Sequence, residues 1–305
     1  MKLFPSNIIQ PPESSAEIIL LAEKTLKKAE AFGKLPTPID DLIEASKIKG
    51  GTDYENALEH LLHTLNEKAR SFLLSGIQKI RGLADLRDRA IYVPPDKPPR
   101  ELFAKCHELG HEIIPWHNIE SGVKVDIYVD DDTSLSHDTE RLFDLEANFF
   151  AAEVIFQGQR FVERTRSFKP SFEAVFSLAD LHGASKQATL RRYVESHDEL
   201  VANITYMPSH YLIGQNGLPI FQKPWVFPSP KFMSKYPKIQ LPNPLPEDHP
   251  WLESLIHQGI AEGEISLFCG HEKVSFQYQS WWNNYRLLIL IRRKPLITRV
   301  RERWF

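Results

Sequence analysis

The sequence is poor in cysteine and in long apolar runs. Cys106 and Cys269 are its only cysteines, they lie far apart, and neither belongs to a CxxC pair. This scarcity excludes a thiolate-rich zinc site and suits a reducing compartment. Residues 1–15 contain no apolar core of signal-peptide length, and the apolar run at 287–291 is too short to span a bilayer. We therefore predict a cytoplasmic protein without a membrane segment.

The chain also lacks an excess of charge of one sign. Its 37 Lys and Arg residues nearly balance 40 Asp and Glu residues, for a net charge of -3, which excludes a basic field over the whole chain. A hydrophobic content of 42% is ordinary for a globular protein, and 305 residues exceed one ordinary core. Any contact with nucleic acid would therefore be local.

Helical and strand patterns alternate along the first half, and strand patterns with frequent proline and aromatic residues dominate the last third. We therefore predict an α+β protein. The domains are expected at 1–160, a helix and strand domain; at 161–203, a helical segment of helix-turn-helix type; and at 204–305, a strand-rich domain that senses a signal or binds a partner.

Two helix starts are marked by polar residues before apolar periodicity. Ser14 and Glu17 have the spacing of a capping box before a helix at 16–32. Thr37 followed by Pro38 is typical of an N-cap with proline at the first helical position. Both hydroxyls are predicted to cap the helices that they precede.

The chemistry is concentrated in an HExxH motif, His107-Glu108-Leu109-Gly110-His111, on a predicted helix. Residues four apart lie on one helix face, so both imidazoles can bind one ion while the glutamate lies beside them as a general base. Zinc lowers the pKa of water to about 7 and polarises a scissile carbonyl. The alternative is a partly buried helix with two hydrogen-bonded histidines and Glu108 in solvent.

A hydrolytic zinc site needs a third protein ligand. The helix expected after Asp138 offers Glu146 and Glu153, both on or beside its apolar stripe, and an ionised carboxylate is costly to bury unpaired. Either could bind metal, or both could reach water or a basic partner, and periodicity alone does not choose. The residues assigned to the stripe are Leu142, Leu145, Phe149, Ala152 and Phe156.

Two segments, AIYVPPDKPPRELFAKCHELGHEII and EANFFAAEVIF, resemble the metallopeptidases related to ImmA and IrrE. The resemblance implies a zincin-like peptidase domain with bound Zn²⁺. His107, His111 and Glu146 would be the metal ligands, Glu108 the general base, and Glu153 the second choice for the third ligand. The chain departs from the Leu-Met-Pro-like ending usual in the family, because it reads VIFQGQ there.

The same resemblance extends to the segment SLADLHGASKQATLRRYVE, which matches the helix-turn-helix-like segment after the peptidase domain. Arg191 and Arg192 either contact phosphate or lie at a solvated helix end, and we favour the solvated end because basic residues near a C-terminus complement the helix dipole. Direct binding of nucleic acid by this chain is left open.

As a family member, the chain would be a zinc-dependent endopeptidase that cleaves a helix-turn-helix transcriptional repressor and so relieves repression in a stress response or a mobile element. Two alternatives remain. The chain could be a non-catalytic, zinc-containing regulator that binds DNA, a partner or a small ligand, or it could belong to a pair of toxin and antitoxin type.

Overall fold

The computed structural model describes residues 11–51, 54–64, 67, 80–85, 89–96, 98–119, 123–127, 138–215 and 217–293. The chain divides into two compact units. Within the described residues, the N-terminal unit lies in 11–161 and 177–185, and the C-terminal unit lies in 162–176 and 186–293. Both units contain helices, and each has its own sheet, so the predicted mixture of α and β structure is confirmed.

The N-terminal unit carries its helices around a small mixed sheet. The helices are α1 Ser15–Lys28, α2 Ile39–Ala45, α3 Tyr54–Thr64, α4 Pro98–Ile113 and α5 Asp138–Phe156. The strands are β1 Lys49–Gly51, β2 Ile80–Asp85, β3 Ala90–Tyr92 and β4 Val123–Ile127, and a 3-10 turn at Pro115–Ile119 follows α4.

The sheet has the order β1-β3-β2-β4. The strands β1 and β3 are parallel, whereas β2 pairs antiparallel with both of its neighbours and its register with β4 shifts between Ile80 and Gly82. Helix α4 packs against β2 on one side and against α5 on another. The sheet therefore supports the helix that carries the HExxH motif.

The two predicted capping hydroxyls serve tertiary contacts instead. Ser14 makes no side-chain cap at α1, and its hydroxyl donates to Glu146 on α5. Thr37 makes no cap at α2, and its hydroxyl donates to the carbonyl of Val154 at 3.0 Å. The cap predictions are wrong because these hydroxyls find acceptors on α5, to which they tie α1 and α2.

The buried face of α5 differs from the predicted stripe. Leu142 and Leu145 are 43% and 42% exposed. Gly110 of α4 meets α5 on its small-residue face, where a Cβ on Gly110 would lie only 3.3 Å from Cα of Ala147. The two helices approach closely, because Gly110 has no side chain and Ala147 has a small one, and the ring of Phe150 lies 3.1 Å from the same Cβ position. The fully buried residues of this face are Ala147, Phe150, Ala151 and Val154.

The C-terminal unit is built on an antiparallel sheet. Helices α6 Gln159–Thr165 and α7 Phe172–His182 are each divided between the two units, and α8 Lys186–Glu195 precedes the first strand. The remaining elements are β5 Val201–Ile213, β6 Pro219–Pro228, α9 Pro230–Lys235, a 3-10 turn at Pro250–Leu252, α10 Glu253–Ile256, β7 Ile260–Cys269, β8 Glu272–Trp282 and β9 Leu287–Arg292.

Its strand order is β6-β5-β9-β8-β7, with all neighbours antiparallel. Alternate residues of the strands form one apolar core with Phe232, Trp251 and Leu252 from the short helices and turns. Helix α8 packs against β5 and β6. Since β5 begins at Val201, regular strand structure starts slightly before the composition shift at 204.

In the described ranges, no helix combines the length and the apolar character that a bilayer crossing requires.

Candidate metal centre

The two motif histidines of α4 converge on one point. Nε2 of His107 and Nε2 of His111 lie 3.1 Å apart, and both residues are at most 3% exposed. Two imidazole nitrogens that bind one tetrahedral zinc ion lie roughly 3.3 Å apart, given zinc-nitrogen bonds of about 2.0–2.1 Å. The spacing of the two imidazoles therefore fits a shared metal ion.

The opposite nitrogen of each ring meets its own partner. Nδ1 of His107 lies 3.0 Å from Oδ1 of Asn148 on α5, and Nδ1 of His111 lies 3.0 Å from Nδ1 of His117 in the 3-10 turn. An amide oxygen accepts only, so Nδ1 of His107 carries the proton and its Nε2 presents a lone pair. Contacts of this kind orient metal-binding histidines and fix their tautomers.

Asp144 completes the group. Its Oδ1 lies 3.8 Å from Nε2 of His111, and its ligand atoms and those of the two histidines all lie within 4.8 Å of one another. The Asp144 side chain is 56% exposed, whereas both imidazoles are buried, so the carboxylate approaches the imidazoles from the solvent side. The three residues could hold a metal ion.

The position of Asp144 follows from the small-residue face of α5. Asp144, Ala147, Asn148 and Ala151 have the spacing i, i+3, i+4, i+7 of one helix face. Sequence reasoning missed Asp144 and Asn148 because it placed the face on the large apolar residues. The row of alanines in EANFFAA was the signal that could have located them.

Glu146, predicted as the third ligand, is not part of this group. Its Oε2 accepts from Nε1 of Trp116 at 2.7 Å and lies 2.8 Å from Nε2 of His117, and its Oε1 accepts from Ser14. Burial alone raises the pKa of Glu146, but the hydrogen bonds from Ser14, Trp116 and His117 outweigh it and hold the pKa below its usual value. The carboxylate of Glu146 therefore contacts His117, and His117 in turn contacts His111.

Glu153, the second choice, is buried on a later turn of α5 and is also absent from the group that the described residues form. Its carboxylate faces Gly158, where a Cβ would lie 3.1 Å from Oε2. Of Asp144, Glu146 and Glu153 on α5, Asp144 is the residue that belongs to the group with the two imidazoles.

Glu108 is 1% exposed and lies over the sheet. A Cβ on Gly82 of β2 would lie 2.7 Å from Cγ of Glu108, so only glycine leaves room for this side chain. Burial, and then the charge of Glu108, raise the pKa of Tyr54 to about 12, which keeps that phenol protonated beside the glutamate. The motif glutamate thus occupies an enclosed position, which contradicts the alternative that it lies in solvent.

A further buried carboxylate, Glu112, follows His111 on α4. Burial raises its pKa to about 7, although Arg89 lowers it, with Nε of Arg89 at 3.8 Å from Oε2 of Glu112. Glu112 was not singled out in the sequence because it lies outside the HExxH spacing.

The predicted pair of short helices is present as α7 and α8, with Gly183 between them at φ of +63°. Nε of Arg191 donates to Glu195 at 2.8 Å, and its guanidinium lies 5.0 Å from the ring centre of Phe227 on β6. Arg191 therefore makes its contacts with residues of the C-terminal unit.

No protein-family model matches the chain, and no curated protein does. Among solved structures, a chain described as "Mycobacterium tuberculosis transcriptional regulator" is similar, with 11% identity over 93% of this chain and 76% of that chain, at a TM-score of 0.48. A likeness at this TM-score carries no weight for the function.

Proposed function

We propose that the chain is a zinc-dependent endopeptidase of the ImmA/IrrE type with a zincin-like N-terminal unit. The observation that carries the proposal is the convergence of His107 Nε2, His111 Nε2 and Asp144 Oδ1 on one point, with Glu108 on the same helix. A zinc site with three protein ligands keeps a fourth position for water and substrate, as hydrolysis requires.

The ligand set proposed is His107, His111 and Asp144, in place of Glu146. The two imidazoles and one carboxylate match the donors that hydrolytic zinc sites use. The exposed carboxylate leaves the solvent side accessible to a polypeptide, whereas the imidazoles are enclosed. A bound zinc ion would supply Lewis-acid polarisation of the scissile carbonyl.

Glu108 acts as the general base and then as the acid. It takes a proton from the attacking water and passes it to the leaving amine, which is the role that the HExxH spacing gives the glutamate. Because Gly82 has no side chain, it leaves room for the Glu108 carboxylate. The packing of α4 on β2 fixes the position of Glu108. Burial of Glu108 keeps the proton transfer apart from bulk water.

The substrate class rests on the family resemblance of the two motifs: a helix-turn-helix transcriptional repressor, cleaved to relieve repression. The C-terminal unit would regulate or recruit rather than catalyse, because every residue assigned to the chemistry lies on α4 and α5. It would do so by recognising a signal or a partner.

The test uses the full chain, stripped of metal and reloaded with zinc. We expect about one zinc per chain by metal analysis, and cleavage of a helix-turn-helix protein encoded near the gene in a co-expression assay. Glu108→Gln should retain the zinc and lose the cleavage, since it removes the base but no ligand. Glu44→Gln, the same change at an exposed position of α2, should retain both.

Three results would overturn the proposal. One is a folded wild-type chain that takes up no zinc. Another is Glu108→Gln cleaving as fast as the wild type. The third is zinc binding without cleavage of any neighbouring helix-turn-helix protein, which would favour the non-catalytic regulator.

A further inference from the structure

A chain of hydrogen bonds leads from the candidate metal centre through the imidazole of His117. It leads from His111 Nδ1 to His117 Nδ1 at 3.0 Å, and from His117 Nε2 to Glu146 Oε2 at 2.8 Å. His117 is fully buried and stacks on Phe143 with ring centres 4.3 Å apart. Neither His117 nor Glu146 belongs to the group that could hold the metal ion.

The direction of the hydrogen bonds follows from the donor at the far end. The indole N–H of Trp116 can only donate, so Oε2 of Glu146 is an acceptor, and Ser14 donates to the other oxygen. A carboxylate that accepts on both oxygens favours the tautomer of His117 with its proton on Nε2. In that tautomer, Nδ1 of His117 is an acceptor.

The acceptor atom Nδ1 of His117 determines which ring nitrogen of His111 carries the proton. One hydrogen bond between two Nδ1 atoms needs one proton, and because His117 accepts, that proton lies on Nδ1 of His111. Nε2 of His111 then presents its lone pair toward Nε2 of His107. The opposite tautomer of His111 would place a proton on Nε2, in the position that a metal ion needs.

We propose that His117 and Glu146 are positioning residues, which hold His111 in the metal-binding tautomer and orientation through a carboxylate–imidazole–imidazole relay. The relay, defined as Glu146, His117 and His111, rests on the proposed zinc site. It differs from the usual single acceptor on a metal-binding histidine, because a neutral imidazole is inserted between the ligand and the carboxylate. His107 has the usual arrangement, with Asn148 as its acceptor.

The relay also accounts for the buried position of Glu146. An ionised carboxylate is costly to bury without partners, and three donors from two different segments surround this one. Ser14 precedes α1, Trp116 and His117 lie in the 3-10 turn, and Glu146 lies on α5. The 3-10 turn is thereby fixed between the two helices that carry the ligands.

The test measures the affinity of the full chain for Zn²⁺ by competition with a chelator, together with the visible absorption spectrum of the Co²⁺-loaded chain. His117→Phe keeps a ring against Phe143 but removes the acceptor, and it should weaken zinc binding about 10- to 100-fold and change the Co²⁺ spectrum. His117→Gln offers an amide oxygen in place of Nδ1 and should restore part of the affinity. His60→Phe, at an exposed site of α3, should change neither.

Glu146→Gln tests whether Glu146 influences the zinc affinity through His117. It should weaken zinc binding less than His117→Phe, and the double variant should bind no more weakly than His117→Phe alone, because Glu146 acts through His117. Thermal melting of the metal-free variants separates loss of fold from loss of affinity. In the metal-free chain, ¹⁵N NMR should place the proton of His111 on Nδ1.

The results separate the relay from the zinc site itself. If His117→Phe binds zinc as tightly as the wild type with an unchanged Co²⁺ spectrum, or if His111 carries its proton on Nε2, the relay is wrong and the zinc site stands. If the folded wild type binds no zinc, the proposed function fails first. Additive losses in the double variant would instead make Glu146 a direct ligand.

Discussion

The two units of the molecule bury different kinds of side chain. In the described residues, every carboxylate that is buried lies in the N-terminal unit, on α4 or α5: Glu108, Glu112, Glu146 and Glu153. The core under the five-stranded sheet of the C-terminal unit is apolar, and the buried polar residues of that unit are uncharged Ser, Thr and Asn together with His197.

This difference has an energetic meaning. A buried carboxylate costs several kcal/mol unless hydrogen bonds, a cation or a proton compensate it, whereas a buried phenylalanine contributes favourably. The buried carboxylates of the N-terminal unit therefore cost stability that their hydrogen-bond and charge partners must offset. The interior of the C-terminal unit is apolar, so burial there contributes to stability.

The largest effect is expected for the apolar core. Phe276→Ala, on β8, should lower the free energy of unfolding of the C-terminal unit by about 3–5 kcal/mol, because Phe276 is 1% exposed and packs against Phe232 and Tyr236. Urea denaturation followed by tryptophan fluorescence measures the change.

Phe268→Ala provides the matched control, since Phe268 on β7 is 46% exposed. It should cost no more than about 0.5 kcal/mol, and zinc affinity should be unchanged in both variants. A loss of zinc on Phe276→Ala, in a chain that stays folded, would break the division of roles between the units.

The next effect concerns the carboxylates of α5. Asp144→Ala should weaken zinc binding by more than about 100-fold, beyond the range for residues that act through a ligand, because it removes a ligand atom. Chelator competition on the folded chain measures this. Asp180→Ala, at an exposed position of α7, should leave the affinity unchanged. A greater loss on Glu146→Ala than on Asp144→Ala would restore Glu146 as the third ligand.

A smaller effect separates catalysis from metal binding. Gly82→Ala should lower kcat about 10- to 100-fold with zinc affinity retained, since the new Cβ would displace Glu108 but no ligand. The rate is measured on a helix-turn-helix protein for which the co-expression assay of the proposed function detects cleavage by the wild type. Gly50→Ala, on β1 of the same sheet, places its Cβ 3.8 Å from Ile43 and should leave kcat unchanged. Equal rates for both variants would remove Glu108 from the chemistry.

The smallest effect is a dependence of stability on pH in the C-terminal unit. Burial lowers the pKa of His249 to about 4, although Asp248 raises it. The folded state therefore takes up a proton only near pH 4, whereas the unfolded state does so below about 6.5. Stability is fully present above pH 6.5 and is lost as the pH falls from 6.5 toward 4. Partial exposure reduces the effect, and we expect about 1–2 kcal/mol between pH 7.5 and pH 5.

His249→Asn tests this dependence by urea denaturation at both pH values. Nδ1 of His249 accepts from the backbone N–H of Trp251 at 3.4 Å, and asparagine retains an acceptor without titrating. The variant should lose less stability on acidification than the wild type, whereas the exposed His257→Asn should behave like the wild type. An unchanged acid sensitivity in His249→Asn would assign it to other groups.

Contacts close in sequence were predictable, and contacts between distant segments were not. The helix with His107 and His111 and the strands of the C-terminal sheet follow from local periodicity, and the structure contains them. The hydroxyls of Ser14 and Thr37 were misassigned because both have acceptors on α5, far away in sequence.

Of the candidate site, only the residues that are close together in the sequence, His107 and His111, were predictable. The HExxH motif places two imidazoles by helix geometry alone, but the choice of Asp144 depends on which face of α5 meets α4. The contact of Gly110 with Ala147 and Phe150 decides that face, and the predicted stripe contained neither of those two α5 residues. His117 lies in a 3-10 turn without helical or strand period, so periodicity could not connect it to His111.

The placement of the candidate ligands on two helices has a consequence for folding. His107 and His111 share α4, but Asp144 belongs to α5, so an ion bound by all three would act as a cross-link between them. Such a chelate forms only when the helices are assembled, and the unfolded chain binds the ion far more weakly. By mass action, free metal would then draw the equilibrium toward the folded chain, and the cellular supply of the ion would govern how long the protein persists as well as whether it works.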